Sequence, residues 1–171
     1  MTMTTEIDAR TFWRAIGSRV LGACVAAARD DNGPAGLLAL SATHVSAAPP
    51  TMMMSVGKST SALSTILRAG HFSLNVLTEA DATVADLFSG RSGVSGAARF
   101  TAGRWDTLVT GAPALIGAMA VLDCKVETTV ESSDAHIIIG RVMAYRGQEG
   151  RPLVSFGGKM LGCDFHEATG Q

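Results

Sequence analysis

The feature that most constrains this chain is a strict alternation in its last third. Ala118, Ala120, Leu122, Cys124, Val126, Thr128 and Val130 form a period-2 apolar series, while Asp123, Lys125, Glu127 and Glu131 occupy the other face. Successive side chains of a strand point to opposite faces, so this pattern buries one face only as β-structure. His136 to Tyr145 reads as another strand directly after Ser132-Ser133-Asp134. The remaining apolar runs are short and separated by turn chemistry. Residues 20–28 read as a buried strand, Asp30-Asp31-Asn32-Gly33-Pro34 as a hairpin-type turn, and Gly36 to Ser41 as a second apolar strand. Ala48-Pro49-Pro50 breaks the chain before a strand from Met52 to Val56. Phe72, Leu74 and Val76 alternate with Ser73 and Asn75, and Leu153 to Phe156 forms a last strand.

Helical spacing occurs three times. Asp8 caps a helix over 8–19 with Phe12, Ile16 and Arg19 on one stripe. A second helix follows Gly57-Lys58-Ser59-Thr60, runs through Leu63, Ile66 and Leu67, and ends at Gly70. Thr78-Glu79-Ala80-Asp81 has the form of a capping box ahead of Val84, Leu87 and Phe88. Residues 89–111, rich in Gly, Ser and Arg, read as an irregular loop. The pattern predicts a mainly β protein with short helices, a barrel or sandwich rather than a doubly wound sheet. At 171 residues, with no repeat or linker, it reads as one domain spanning 1–171.

Composition narrows the function classes. Only 17% of residues are charged, against about 25% in ordinary domains, and 47% are hydrophobic. That balance excludes general disorder and implies that a partner, most simply a second subunit, covers some apolar surface. With 14 basic and 15 acidic residues and no basic stripe, nucleic acid is excluded as the main partner. The longest apolar stretch, Ala112 to Leu122, is interrupted by Pro113 and Gly117 and is too short to span a bilayer, so no membrane partner is expected. Arg10, Arg14 and Arg19 ahead of Val20 to Ala28 imitate a signal peptide, but Glu6 and Asp8 spoil the positive start. The expectation is a cytoplasmic protein. Cys24, Cys124 and Cys163 are odd in number and far apart, and read as small buried hydrophobes.

Motifs for metal hydrolysis and triad acylation are missing. There is no H-E-x-x-H, no G-x-S-x-G and no Cys/His cluster, His44, His71, His136 and His166 are scattered, and no metal site is expected. Gly57-Lys58-Ser59 resembles the end of a phosphate loop, but Met52 stands where the full motif needs Gly. Even so, a strand delivers Gly57, Lys58 and the hydroxyls of Ser59, Thr60 and Ser61 to a helix start, where free N–H groups favour an anion. The plainer alternative is that Ser59 or Thr60 caps the helix. Gly90 to Gly96 is a G-x-x-G-x-x-G run outside the dinucleotide fingerprint, and reads as a surface loop. Met52-Met53-Met54 reads as core packing, and His136, taken alone, as a rim or core histidine.

Taken together, the segments have a recognisable order. Gly36 to Pro50 (GLLALSATHVSAAPP) precedes Val56 to Ser61 (VGKSTS) and Ala69 to Leu77 (AGHFSLNVL). Then come Phe88 to Arg91 (FSGR), Arg99-Phe100, Thr110 to Leu115 (TGAPAL), Leu122 to Val126 (LDCKV) and His136 to Val142 (HIIIGRV). From about Phe12 to Gly158 the chain resembles the short-chain flavin reductase family, the small NAD(P)H:flavin reductase components of two-component monooxygenases. The resemblance implies a split β-barrel of the FMN-binding Greek-key type, assembled as a homodimer with FMN or FAD at the subunit interface. It implies hydride transfer from NADH or NADPH and release of reduced flavin to a separate monooxygenase component. Carried over by position, the flavin contacts fall on Leu38, Ala39, Leu40 and Ser41, on Val45 and Ser46, on Ser55, Val56, Gly57 and Lys58, on Ser61 and Ala62, and on Phe88 and Ser89. The histidine facing the nicotinamide falls on His136. The chain departs from the family pattern at Leu38 and Leu40, where Thr or Ser is usual near one position, at Gly57, where Asn is common, and near Met160, where an aromatic is usual. Related reductases that pass electrons to cobalt corrinoids or ferric chelates are alternatives, as is a non-catalytic flavin-binding module. A heme-utilisation protein on a similar barrel lacks support, because no persuasive His/aromatic ligand set is present.

Overall fold

The alternating runs become two 13-residue strands that pair along their length and form the spine of the largest sheet. The computed structural model describes residues 5–101 and 103–163; His166 lies outside them. In chain order the elements are α1 (Ala9–Ile16), β1 (Leu21–Gly22), β2 (Cys24–Asp30), β3 (Gly33–Ala39), β4 (Thr43–Ala47), β5 (Pro50–Gly57), α2 (Ser61–Ala69) and β6 (His71–Val76). There follow α3 (Ala82–Phe88), β7 (Trp105–Thr107), β8 (Pro113–Leu115), β9 (Ala120–Ser132), β10 (Ala135–Gly147), β11 (Leu153–Phe156) and β12 (Lys159–Gly162). Seven strands form one antiparallel sheet in the order β3-β2-β6-β9-β10-β5-β4. A three-stranded sheet, β1-β11-β12, and the β7-β8 pair complete the strands among the described residues.

Mainly β architecture with three short helices is as expected. Strand pairing does not close the seven-stranded sheet into a barrel among the described residues: β3 and β4 are its edges. A side chain links the two ends instead. Ser41, just past β3, donates its hydroxyl to the Ser55 carbonyl on β5 at 3.0 Å and accepts from the Ser55 N–H at 3.0 Å.

Around β2 the sheet is buried on both faces, which explains the unbroken apolar run of that strand. Cys24, Ala26 and Ala28 face one core with Met54, Val56, Phe72, Leu74 and Ile138, capped by Leu63 and Ile66 of α2. Val25 and Ala27 face a second core with Val84, Ala85 and Phe88 of α3, together with Ala114, Leu115, Val121 and Leu153. Close approach demands glycine at two points. A Cβ on Gly140 would lie 2.6 Å from the Phe72 ring, and one on Gly36 would lie 2.8 Å from the Phe88 ring.

Several sequence expectations shift. The run 20–28 divides at Ala23, whose N–H bonds Leu153 and whose carbonyl accepts from Leu77, so the chain changes sheets there. Ala48 and Pro49 form a turn rather than ending the β-structure, and Pro50 opens β5. The helix over 8–19 is shorter. Asp8 does cap it, accepting from the Thr11 N–H at 2.7 Å, but none of its residues is buried and Trp13 is 68% exposed. The loop 89–111 contains a 3-10 turn over Gly96–Arg99 and strand β7. Cys24 and Cys124 are buried, and burial pushes each thiol up to about 12; Cys163 is half-buried.

Ser73, Asn75 and Asp123 belong to faces that read as polar, yet all three are buried. They peg the 110–115 segment onto the sheet. Asn75 accepts from the Leu115 N–H at 2.7 Å and donates to the Val25 carbonyl at 3.0 Å. Ser73 donates to the Pro113 carbonyl, and Asp123 accepts from the Thr110 hydroxyl and, at 2.7 Å, from the Thr110 N–H. These bonds satisfy buried polar atoms that would otherwise destabilise the fold.

Candidate functional site

The expected site residues gather mainly where β5 leaves the sheet and α2 begins. Val56 lies opposite His136 in the β5-β10 ladder, and Glu131 lies opposite His136 in the β9-β10 ladder. Lys58 lies one residue beyond the end of β5. Its backbone N–H donates to Asp134 in the β9-β10 turn at 2.8 Å, and its ammonium pairs with Glu131. Hydrogen bonding to Lys58, reinforced by the nearby charges of Lys58 and His136, holds the Glu131 carboxyl below the usual glutamate value. The His136 ring is half-buried, and its Nδ1 is buried with no partner among the described residues.

The side-chain cap expected at the start of α2 is not made by Thr60. Thr60 is the N-cap residue, yet its hydroxyl makes no capping bond. The Thr60 N–H turns back to Gly57 at 2.9 Å and Leu63 donates to Thr60 at 3.0 Å. The first-turn amides therefore keep the partial positive charge of an uncapped helix start.

A groove of about 360 Å³ lies on the opposite face of the same strands. Ser41, Met53 and Ser55 line one side, and Ala135, Ile137 and the turn over Ser132, Ser133 and Asp134 line the other. His136 alternates with Ala135 and Ile137 and so faces away from this groove. Groove and histidine flank the β5-β10 pair rather than sharing one cavity.

The other expected residues divide by environment. Ala39, Val56, Ala62 and Phe88 are no more than 3% exposed. Their side chains are occupied by the two cores, which leaves only main-chain groups for any ligand. Phe88 belongs to an aromatic cluster, 5.1 Å from Phe100 and 5.6 Å from Trp105 by ring centroids. Leu38 and Leu40 pack against that same core, which accounts for apolar residues there. Val45 is exposed on edge strand β4, and Ser46 accepts from the Ala48 N–H at 3.2 Å. Ser89 donates to the Asp86 carbonyl at 2.8 Å, closing α3. Arg99 is engaged with the Val94 and Gly36 carbonyls at 2.8 and 3.3 Å. Sequence reasoning missed Glu131 as part of this cluster, because a carboxylate in a polar alternation reads as solvated surface. The signal available was its place five residues before His136, across a short turn.

Residues 18–163 match the flavin reductase like domain, and the chain belongs to that family. It is 34% identical over 133 residues to FMN reductase (NADH) RutF of Ancylobacter novellus, covering 77% of this chain and 72% of that one. Its fold is similar to BorF, the flavin reductase component of a bacterial two-component tryptophan halogenase, with a TM-score of 0.86 and 27% identity over 93% of this chain and 100% of the other. It is also similar to the styrene monooxygenase flavin reductase of Pseudomonas putida S12, with a TM-score of 0.80 and 29% identity over 91% and 98% of the two chains.

Proposed function

We propose that this protein is an NAD(P)H:flavin oxidoreductase that reduces FMN or FAD and passes the reduced flavin to a separate monooxygenase component. The observation that carries the reading is the family match over 18–163, together with the cluster of His136, Lys58 and the uncapped start of α2. The names of its relatives favour NADH as donor, with NADPH to be compared. The chain acts as one domain that assembles as a homodimer of split barrels, with the flavin at the subunit interface.

The residues present fit a phosphorylated flavin. The first turn of α2 offers main-chain donors without a side-chain cap, and Lys58 supplies a cation beside them. The bound nicotinamide and flavin supply the hydride chemistry themselves. The protein contributes binding and orientation, which accounts for a site without an acid/base pair. Main-chain groups of 38–41 and 55–57 would hold the flavin ring edge. His136, with an unpartnered Nδ1, orients the nicotinamide.

The test is steady-state oxidation of NADH and NADPH with FMN and with FAD, by wild-type protein and His136→Ala. Wild type is expected to turn over. The variant is expected to show a raised nicotinamide KM or lowered kcat, about tenfold in kcat/KM, with flavin affinity changed only a few-fold. Flavin binding without NAD(P)H oxidation would remove the reductase assignment.

A further inference from the structure

The Lys58 ammonium is the cation nearest in sequence to the first turn of α2, and it is already held by a carboxylate 73 residues away. We propose that Glu131 is a built-in competitor for the flavin phosphate, holding Lys58 until the phosphate displaces it and so setting how loosely a phosphorylated flavin is bound. This inference rests on the flavin reductase reading and adds to it a residue that tunes affinity.

Carboxylate and phosphate make the same demand on an ammonium, so both cannot engage it fully at once. The pair is built for exchange. The Glu131 side chain is 65% exposed and that of Lys58 39%, so water can solvate the carboxylate once it is released. A buried pair would not exchange in this way, because an unpaired buried charge is strongly unfavourable. The strand that carries Glu131 does not depend on the pair for its position. Ser132 pairs with Ala135, Glu131 with His136, and the Lys58 N–H separately holds Asp134 at 2.8 Å. Displacement therefore needs only a side-chain movement. After displacement the carboxylate stays close to an incoming dianion, and its repulsion further weakens binding. A reductase that must hand its product to another enzyme benefits from this weakening.

The experiment is titration of purified protein with FMN and with riboflavin, which lacks the phosphate, followed by flavin fluorescence. Wild type, Glu131→Gln, Lys58→Met and the double variant are compared, with Glu127→Gln as a control that removes a different β9 carboxylate and with thermal melting to verify folding. Glu131→Gln should tighten FMN about fivefold, the scale of an exposed ion pair, and leave riboflavin unchanged within about twofold. Lys58→Met should weaken FMN alone, and in its background Glu131→Gln should have less than about half its effect in logarithmic terms. An FMN affinity unchanged or weakened by Glu131→Gln, or an equal change for both flavins, would overturn the inference alone. A wild-type protein that binds neither flavin would overturn the flavin reading and this inference together.

Discussion

At the residue scale, the buried polar pegs matter as much to this fold as its apolar core. Asn75 is fully buried and bonds to Val25 on β2, to Ser73 on its own strand and to Leu115 on β8. Asn75→Leu keeps the volume but strands the Leu115 N–H, so urea unfolding should show a loss of about 3 kcal/mol. A loss below about 0.5 kcal/mol would mean that β8 is held by packing alone. His71 makes a second residue-scale case. Its Nδ1 is buried without a partner among the described residues. Burial pulls the imidazole below its ordinary value of 6.5, against the opposing pull of Asp123. The unfolded chain therefore binds more protons just below that value, and stability falls as pH drops from about 6.5. The Glu131 and Asp8 carboxyls, held low by Lys58 and Thr11, lose their contribution only below ordinary carboxylate values of 4.5 and 3.8. The two windows are separate. His71→Gln should flatten the fall in urea midpoint between about pH 7 and 5 and leave the fall below about pH 4 intact; an unchanged slope near pH 6 would exclude His71 as its source.

At the element scale, α2 has two roles, since its interior face plugs one core while its first turn helps to form the site. Ile66 is fully buried and Leu63 nearly so. Ile66→Ala should cost about 2–5 kcal/mol, read as a shifted urea midpoint, and should weaken FMN as the first turn loosens. An equal stability loss with unaltered FMN affinity would separate the two roles. The apolar spacing Leu63, Ile66, Leu67 and the stop at Gly70, which adopts φ +66°, made this helix legible in the sequence. The same is true of β6, β9, β10 and β11, where one face alternates or the run is plainly apolar. Two of the elements that went unread share a cause. β4 (THVSA) and β12 (KMLG) are edge strands with mostly exposed residues, so burial imposes no periodic signal on them. The division at Ala23 was hidden because both sheets bury that residue. Ser73, Asn75 and Asp123 fall on the polar side of their alternations, and period alone does not reveal that β8 and the 110–115 segment cover that face. In the site, the segments around Ser41, Ser55, Lys58 and His136 were found through their order along the chain, whereas the Lys58–Glu131 pair depends on strand register that no local pattern specifies.

At the scale of the whole molecule, apolar surface left uncovered by one chain bears on assembly. Trp13 on α1, Val45 on β4, Val130 on β9 and Met143 and Tyr145 on β10 are between 47% and 68% exposed. With only 17% of residues charged, the chain has little polar surface to set against them. A second copy of the chain would cover such surface, and the function proposed above sets the flavin site at the contact between copies. Dimerisation and turnover are then linked by mass action, because a site completed by two chains is lost when they part. Light scattering should give twice the 17.7 kDa chain mass at concentrations where NADH is oxidised. On serial dilution, specific activity per chain should fall over the same range in which the mass falls, and saturating FMN should move both transitions together to lower protein concentration. Activity per chain that stays constant well into the monomer range would mean that one chain holds the entire site, and would confine the exposed apolar residues to some other role.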